Sequence, residues 1–170
     1  EEIQLLIDRL KQNFFPGAKT ISYMIEFLSL TGLRISEMLH ILQSNIKRKN
    51  GFYEIRIEGK GKKERTIFIS KDIYQEIKQY FDGKIYLFEH AGVQYNPKYI
   101  TNQIRMGGLL ILDKNISAHT LRHSWATAKL KEGKSLKAVS KYLGHSSTAT
   151  TSDLYNHDEL TYDDLKDDFK

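Results

Sequence analysis

Apolar residues recur at helical spacing from the first turn of the chain. Ile3, Leu6, Ile7 and Leu10 form one stripe over residues 1–13, and Pro16-Gly17 then breaks it. A second stripe of Ile21, Met24, Ile25 and Leu28 predicts a helix over 18–30, with Gly32 placed to stop it. Met38, Leu39, Ile41 and Leu42 predict a short buried helix over 36–42. The period then changes to two. Residues 52–57 alternate Phe52, Glu54 and Arg56 against Tyr53, Ile55 and Ile57, and Ile67 and Ile69 repeat the pattern within 65–69. With the glycine-containing basic stretch 59–63 between them, these segments predict a β-hairpin. Helical patterns return over about 72–81, 97–104, 121–131, 136–143 and 161–169. The predicted class is mainly α with a small antiparallel β-sheet (α+β). No internal repeat, low-complexity tract or second-domain linker interrupts it, so residues 1–170 read as one domain.

Composition narrows the function classes. A chain of 170 residues with 40% apolar content can bury a sizeable core, so a disordered chain is excluded. No apolar run approaches the roughly 20 residues of a membrane span, and no secretory pattern opens the chain. A cytoplasmic protein is expected. The absence of cysteine removes disulfides, thiolate metal sites and thiol redox chemistry. A formal net charge of +5 favours a polyanionic partner. The bases cluster at 47–49 and 60–65 and recur at Lys129, Lys131, Lys134, Lys137 and Lys141, whereas acids crowd the tail after Asp153. The basic middle is therefore read as the nucleic-acid face.

Five separated segments carry chemistry. TGLRISE (31–37) contains Arg34, and EGKGKKER (58–65) contains Lys60. HTLRH (119–123) contains His119 and Arg122, while LGH (143–145) ends on His145 and is followed by Tyr155 in DLYNH (153–157). Cations, imidazoles and a phenol together suit metal-free attack on a phosphodiester, which needs donors for the non-bridging oxygens, a nucleophile and a proton source for the leaving oxygen. A guanidinium donates two parallel hydrogen bonds to a phosphate and stays charged at any working pH. His119 and Arg122 can share one side of a helix N-terminus. His119 and His123 are also spaced like a zinc pair, but Thr120 stands where such a motif has its glutamate, so no metal or other cofactor is expected. His123 is expected to turn inward beside Trp125. Each residue also has a structural alternative: Arg34 could pair with Glu37, His145 could cap a helix, and Tyr155 could pack in a terminal helix.

In that order, the segments resemble the catalytic domain of the tyrosine recombinases, the phage integrase family, over residues 31–155. The resemblance implies that Arg34, Lys60, His119, Arg122 and His145 surround a scissile phosphate which Tyr155 attacks. It implies double-stranded DNA as partner and a homo-oligomer, a tetramer on two DNA sites. Lys62 is the substitute for Lys60, and Tyr162 for Tyr155. Tyr155 follows His145 by ten residues, one more than the usual spacing in the family. Such recombinases usually carry a preceding DNA-clamping domain. Because none precedes Glu1, the chain is expected to be the catalytic domain alone, its acidic helix over 158–170 able to dock in trans. A type IB topoisomerase-like enzyme, a telomere resolvase and a non-catalytic DNA-binding module of the same fold are the competing readings.

Overall fold

A computed structural model describes residues 1–12, 15–59, 64–144 and 159–170. The stripe of α1 (Glu2–Lys11) buries Leu6, Ile7 and Leu10 against α2 (Ala18–Thr31), the central helix, which also packs on two later helices. Gly32 ends α2 with its N–H donating to the Leu28 carbonyl at 2.9 Å and with φ at 62°, the left-handed region that favours glycine. A methyl group there would also lie within 3.0 Å of Leu143 and Trp125 side-chain atoms, so both backbone and packing require glycine. Only two residues separate α2 from α3 (Ile35–Leu39) beyond that glycine, and Arg34 occupies the cap of α3.

The hairpin forms as β2 (Phe52–Glu58) against β3 (Glu64–Ser70), with Ile55 opposite Ile67 and Ile57 opposite Arg65. Its inward row is apolar because alternate residues share a face: Ile55, Ile57, Ile67 and Ile69 are buried. A third strand, β1 (Ile46–Arg48), pairs antiparallel with β2 and was not expected, because its residues read only as a cluster of bases. Ser70 caps α4 (Lys71–Phe81). A two-residue pair, β4 (Glu89–His90) and β5 (Val93–Gln94), leads into α5 (Pro97–Leu112). This helix runs eight residues past its predicted end at Ile104. Two glycines within the added length are packing sites, Gly107 facing Leu10 and Gly108 facing Ile116.

α6 (Ala118–Lys131) starts three residues earlier than the periodicity predicts. Ser117 Oγ accepts the Thr120 N–H at 3.1 Å while Thr120 Oγ1 accepts the Ser117 N–H at 2.9 Å, a reciprocal cap that fixes the first turn. Leu121, Arg122, Trp125 and Lys129 face inward, so His123 is exposed, contrary to its expected place beside Trp125. Trp125 donates Nε1–H to the Leu30 carbonyl and stacks on Tyr142 of α7 (Leu136–Leu143) at 4.9 Å.

The predicted terminal helix is instead a short α8 (Tyr162–Leu165) followed by a 3-10 turn, and it packs on its own chain. Leu160 and Leu165 are buried, and Tyr162 stacks on Phe52 at 4.0 Å. Acids of the tail meet bases of α6, α7 and the turn between them: Asp168 with Lys129, Asp164 with Lys134 at 2.7 Å, and Glu159 with Lys141. These lysines, read from sequence as part of a nucleic-acid face, are paired with the tail. Lys134 and the Thr161 backbone N–H hold the Asp164 carboxyl down at about 2.

Lys129 is 1% exposed and also donates to Glu132 at 2.8 Å. Burial pushes the Asp168 carboxyl above its ordinary value even though Lys129 donates to it. Removing one partner of such a pair leaves the other buried without compensation. Lys129→Met is therefore expected to lower stability by about 3 kcal/mol in urea denaturation. Adding Asp168→Asn should restore most of that loss; an unchanged single variant would show that the pair contributes nothing.

Candidate active site

Three helix ends and one strand end meet where α2 gives way to α3. Helix C-termini leave carbonyls without intrahelical donors, and two of them face each other here. Arg122, reaching across from α6, donates Nη1–H to the Gly32 carbonyl and Nη2–H to the Leu143 carbonyl, both at 2.7 Å. Its fork thus ties the end of α2 to the end of α7, and both termini present their negative dipole ends to the guanidinium. The residue is 6% exposed.

Arg34 lies two residues beyond Gly32. Its backbone N–H donates to Glu37 Oε2 at 2.9 Å, and its Nη1 to Glu37 Oε1 at 3.0 Å. The pairing with Glu37 therefore forms, yet the Arg34 side chain remains 45% exposed. Arg65, from β3, closes on the same carboxylate with Nη1 to Oε1 at 3.0 Å and Nη2 to Oε2 at 2.8 Å. Burial works to raise the Glu37 carboxyl, but the hydrogen bonds from Arg65 and Arg34 outweigh it and hold the group below its ordinary value.

Three guanidiniums around one carboxylate leave an excess of positive charge in a half-buried place. The effect registers on Arg122, which is pushed down to about 10, first by burial and then by the neighbouring Arg34, with Glu37 opposing and Arg65 adding. An anion bound here would reverse that penalty. The cluster is suited to a phosphate, whose oxygens match two guanidinium forks.

The structure thus brings Arg34 and Arg122 together, as the sequence predicts. His119 sits in the first turn of α6, exposed, one turn before Arg122. Lys60, His145 and Tyr155 lie outside the described residues. So does Lys62. The residue before His145 is placed, however: Gly144 lies against the Arg65 guanidinium. Tyr162 is remote from the cluster. It stacks on Phe52, which pairs with Ser70, and that end of the sheet is five residues along β3 from Arg65, roughly 16 Å at strand rise. In the sequence Arg65 stands out only as part of a basic run. Its spacing before Ile67 and Ile69 was the available signal, since it puts a guanidinium in the inward row. Among the described residues no group of three or more His, Asp or Glu side chains could hold a metal, and no helix is long and apolar enough to cross a membrane.

The chain belongs to the phage integrase family, whose pattern it matches over residues 1–161. The tyrosine recombinase XerD of Staphylococcus aureus (strain Mu50) is 32% identical over 169 residues, covering 92% of this chain and 56% of that protein. XerD of Chlorobaculum tepidum is 33% identical over 151 residues, covering 82% of this chain and 49% of that one. The chain therefore spans about half the length of the curated relatives it matches. Among solved structures, the XerH site-specific recombinase in its pre-cleavage complex with the difH substrate superposes with a TM-score of 0.70 at 25% identity, over 86% of this chain and 46% of that one. The catalytic core of lambda integrase shares the fold, with a TM-score of 0.63 at 18% identity over 85% of this chain and 92% of that core.

Proposed function

We propose that this chain is the catalytic domain of a site-specific recombinase that cuts and rejoins double-stranded DNA without metal or nucleotide. The observation that carries the reading is Arg122, buried between two helix ends and set beside Arg34. Burying a cation against two carbonyls is costly unless the cluster serves an anion. The two forks would hold the non-bridging oxygens of the scissile phosphate, with His119 and His145 adding donors as charge builds on phosphorus. Tyr155 would attack through its phenolic oxygen, its proton passing to a histidine. The bond from phosphorus to the 5′ oxygen breaks, and Lys60 protonates the leaving oxygen. A 3′-phosphotyrosine and a free 5′ hydroxyl result. A 5′ hydroxyl from a second duplex then attacks the phosphotyrosine, so the phosphodiester energy is conserved and no ATP is required.

Strand exchange between two duplexes calls for several copies at once, and a tetramer on two sites is the assembly proposed. Lambda integrase is known as a tetramer bound to a Holliday junction. In such an assembly the surface around Lys129, Lys134 and Lys141 that holds the tail in cis is also one that a neighbour's tail could take.

The test is covalent capture. Incubated with nicked duplexes drawn from a randomised-sequence pool, the chain is expected to form an SDS-resistant protein–DNA adduct, because loss of the short strand beyond the nick prevents religation. Failure to form any adduct would leave a non-catalytic DNA-binding module. Exchange between two labelled duplexes carrying the captured sequence separates recombination from mere relaxation of supercoils, the type IB outcome.

A further inference from the structure

Arg65 shares the inward row of β3 with Ile67 and Ile69, which are fully buried, and its own side chain is 11% exposed. A guanidinium in that row needs a buried acceptor, and it finds Glu37, whose side chain is 8% exposed. The carboxylate offers about four lone-pair sites. Arg65 takes one on each oxygen, and the Arg34 Nη1 and backbone N–H take one each of the remainder. The arrangement is a competition between two arginines for one carboxylate. Because Arg65 engages it with both ends of its fork, Arg34 makes a single side-chain bond to it. Without Arg65, Glu37 could capture the whole Arg34 fork.

The same guanidinium has a second neighbour. A methyl group at Gly144 would lie 2.9 Å from Arg65 Nη1 and 3.2 Å from its Cζ, and Gly144 has φ at 72°, so the end of α7 is laid directly on Arg65. One residue earlier, the Leu143 carbonyl receives Arg122. A single side chain therefore touches what fixes Arg34 and what aligns Arg122.

We infer that Arg65 is a positioning residue for phosphate binding: by occupying Glu37 it leaves donors of Arg34 available, and by seating Gly144 it sets the carbonyl on which Arg122 is aligned. The inference rests on the strand-transfer reading above and assigns that site a residue acting through its neighbours rather than on DNA.

Arg65→Lys is the decisive variant, since it keeps the charge but supplies one point donor in place of a fork. At saturating DNA its adduct formation on the randomised nicked-duplex pool is expected to be about 100-fold slower, the usual effect of an ångström-scale misplacement. Its affinity for intact duplex should change by less than about threefold, because the charge that releases counterions is unaltered. Arg65→Met should lose at least as much rate. The double variant Arg65→Met with Glu37→Gln should recover about tenfold of that loss, because no carboxylate remains to capture Arg34. A folded Arg65→Lys protein, judged by an unchanged melting temperature, that forms adduct at the wild-type rate overturns the inference. So does a rate and an affinity that fall by the same factor, which would make Arg65 a DNA contact. If the wild-type chain forms no adduct, the strand-transfer reading fails, and titration with inorganic phosphate decides this inference separately. Wild type should then bind phosphate about tenfold more tightly than Arg65→Lys, and equal affinities overturn it.

Discussion

Arg122→Ala is expected to slow adduct formation by a factor of 10²–10³, about 3–4 kcal/mol of barrier, the scale on which a lost transition-state donor is felt. The effect on stability should be smaller. Deleting the fork leaves the Gly32 and Leu143 carbonyls without their donor, at about 1–3 kcal/mol for each buried group. Opposing this, the variant no longer buries a cation among other cations. The sign follows from the depressed value of Arg122: with its folded value at about 10, below that of an ordinary guanidinium, the charged form is disfavoured by folding at every pH below about 10, and the penalty fades as pH rises through that value. Removing the side chain removes the penalty, so the two terms partly cancel at neutral pH. Single-turnover adduct formation and urea denaturation measured on one preparation separate them. Arg122→Lys should be nearly as slow as alanine, because a point donor cannot bridge two carbonyls and a phosphate. If Arg122→Ala loses several kcal/mol of stability while the protein that remains folded cleaves at the wild-type rate, Arg122 is a structural tie alone.

What the sequence made legible is what depends on near neighbours. The stripes of α1, α2 and α7 are local, and so are their stops, which is why the predicted and observed ends agree within two residues. The hairpin followed from alternation in two adjacent segments. The features missed all rest on partners distant in sequence. The pattern carries α5 only to Ile104, yet the helix continues through Gly107 and Gly108, which Leu10 and Ile116 cover. The pairing of Lys129 and Lys134 with the tail was not legible because their acids stand some 30–40 residues later. His123 and Arg122 are adjacent, and only the rotation of α6 set by the Ser117 cap decides which of them turns inward. For the candidate site, residue type and order pointed to Arg34 and Arg122, which the structure brings together. Sequence could not show that Glu37 is shared, because the second claimant, Arg65, arrives from a strand 28 residues away.

Tyr155→Phe is expected to abolish the covalent adduct while leaving duplex affinity within about threefold of wild type, since the phenyl ring keeps the bulk and the phosphate-binding cations are untouched. A phenol with an ordinary value of about 10 attacks poorly at neutral pH unless cations and a base stand beside it. The described tyrosines that could compete are otherwise engaged. Tyr142 is within the electrostatic reach of Arg65, but it is buried with its ring against Trp125, and that burial pushes its phenol well above the ordinary value, against the ionisation an attack requires. Tyr162 is stacked between Phe52 and Phe169 at the far end of the sheet. Tyr53 packs on Tyr74, and Tyr23 on Tyr80. Denaturing gels of Tyr155→Phe, Tyr162→Phe and Tyr142→Phe on the same nicked duplexes decide among them. Adduct should vanish in the first and persist in the second. Tyr142→Phe should retain adduct because it removes a hydroxyl that does no chemistry. An adduct that survives Tyr155→Phe and disappears with Tyr162→Phe would move the nucleophile to α8, and the tail would then have to leave Phe52 before any strand could be cut.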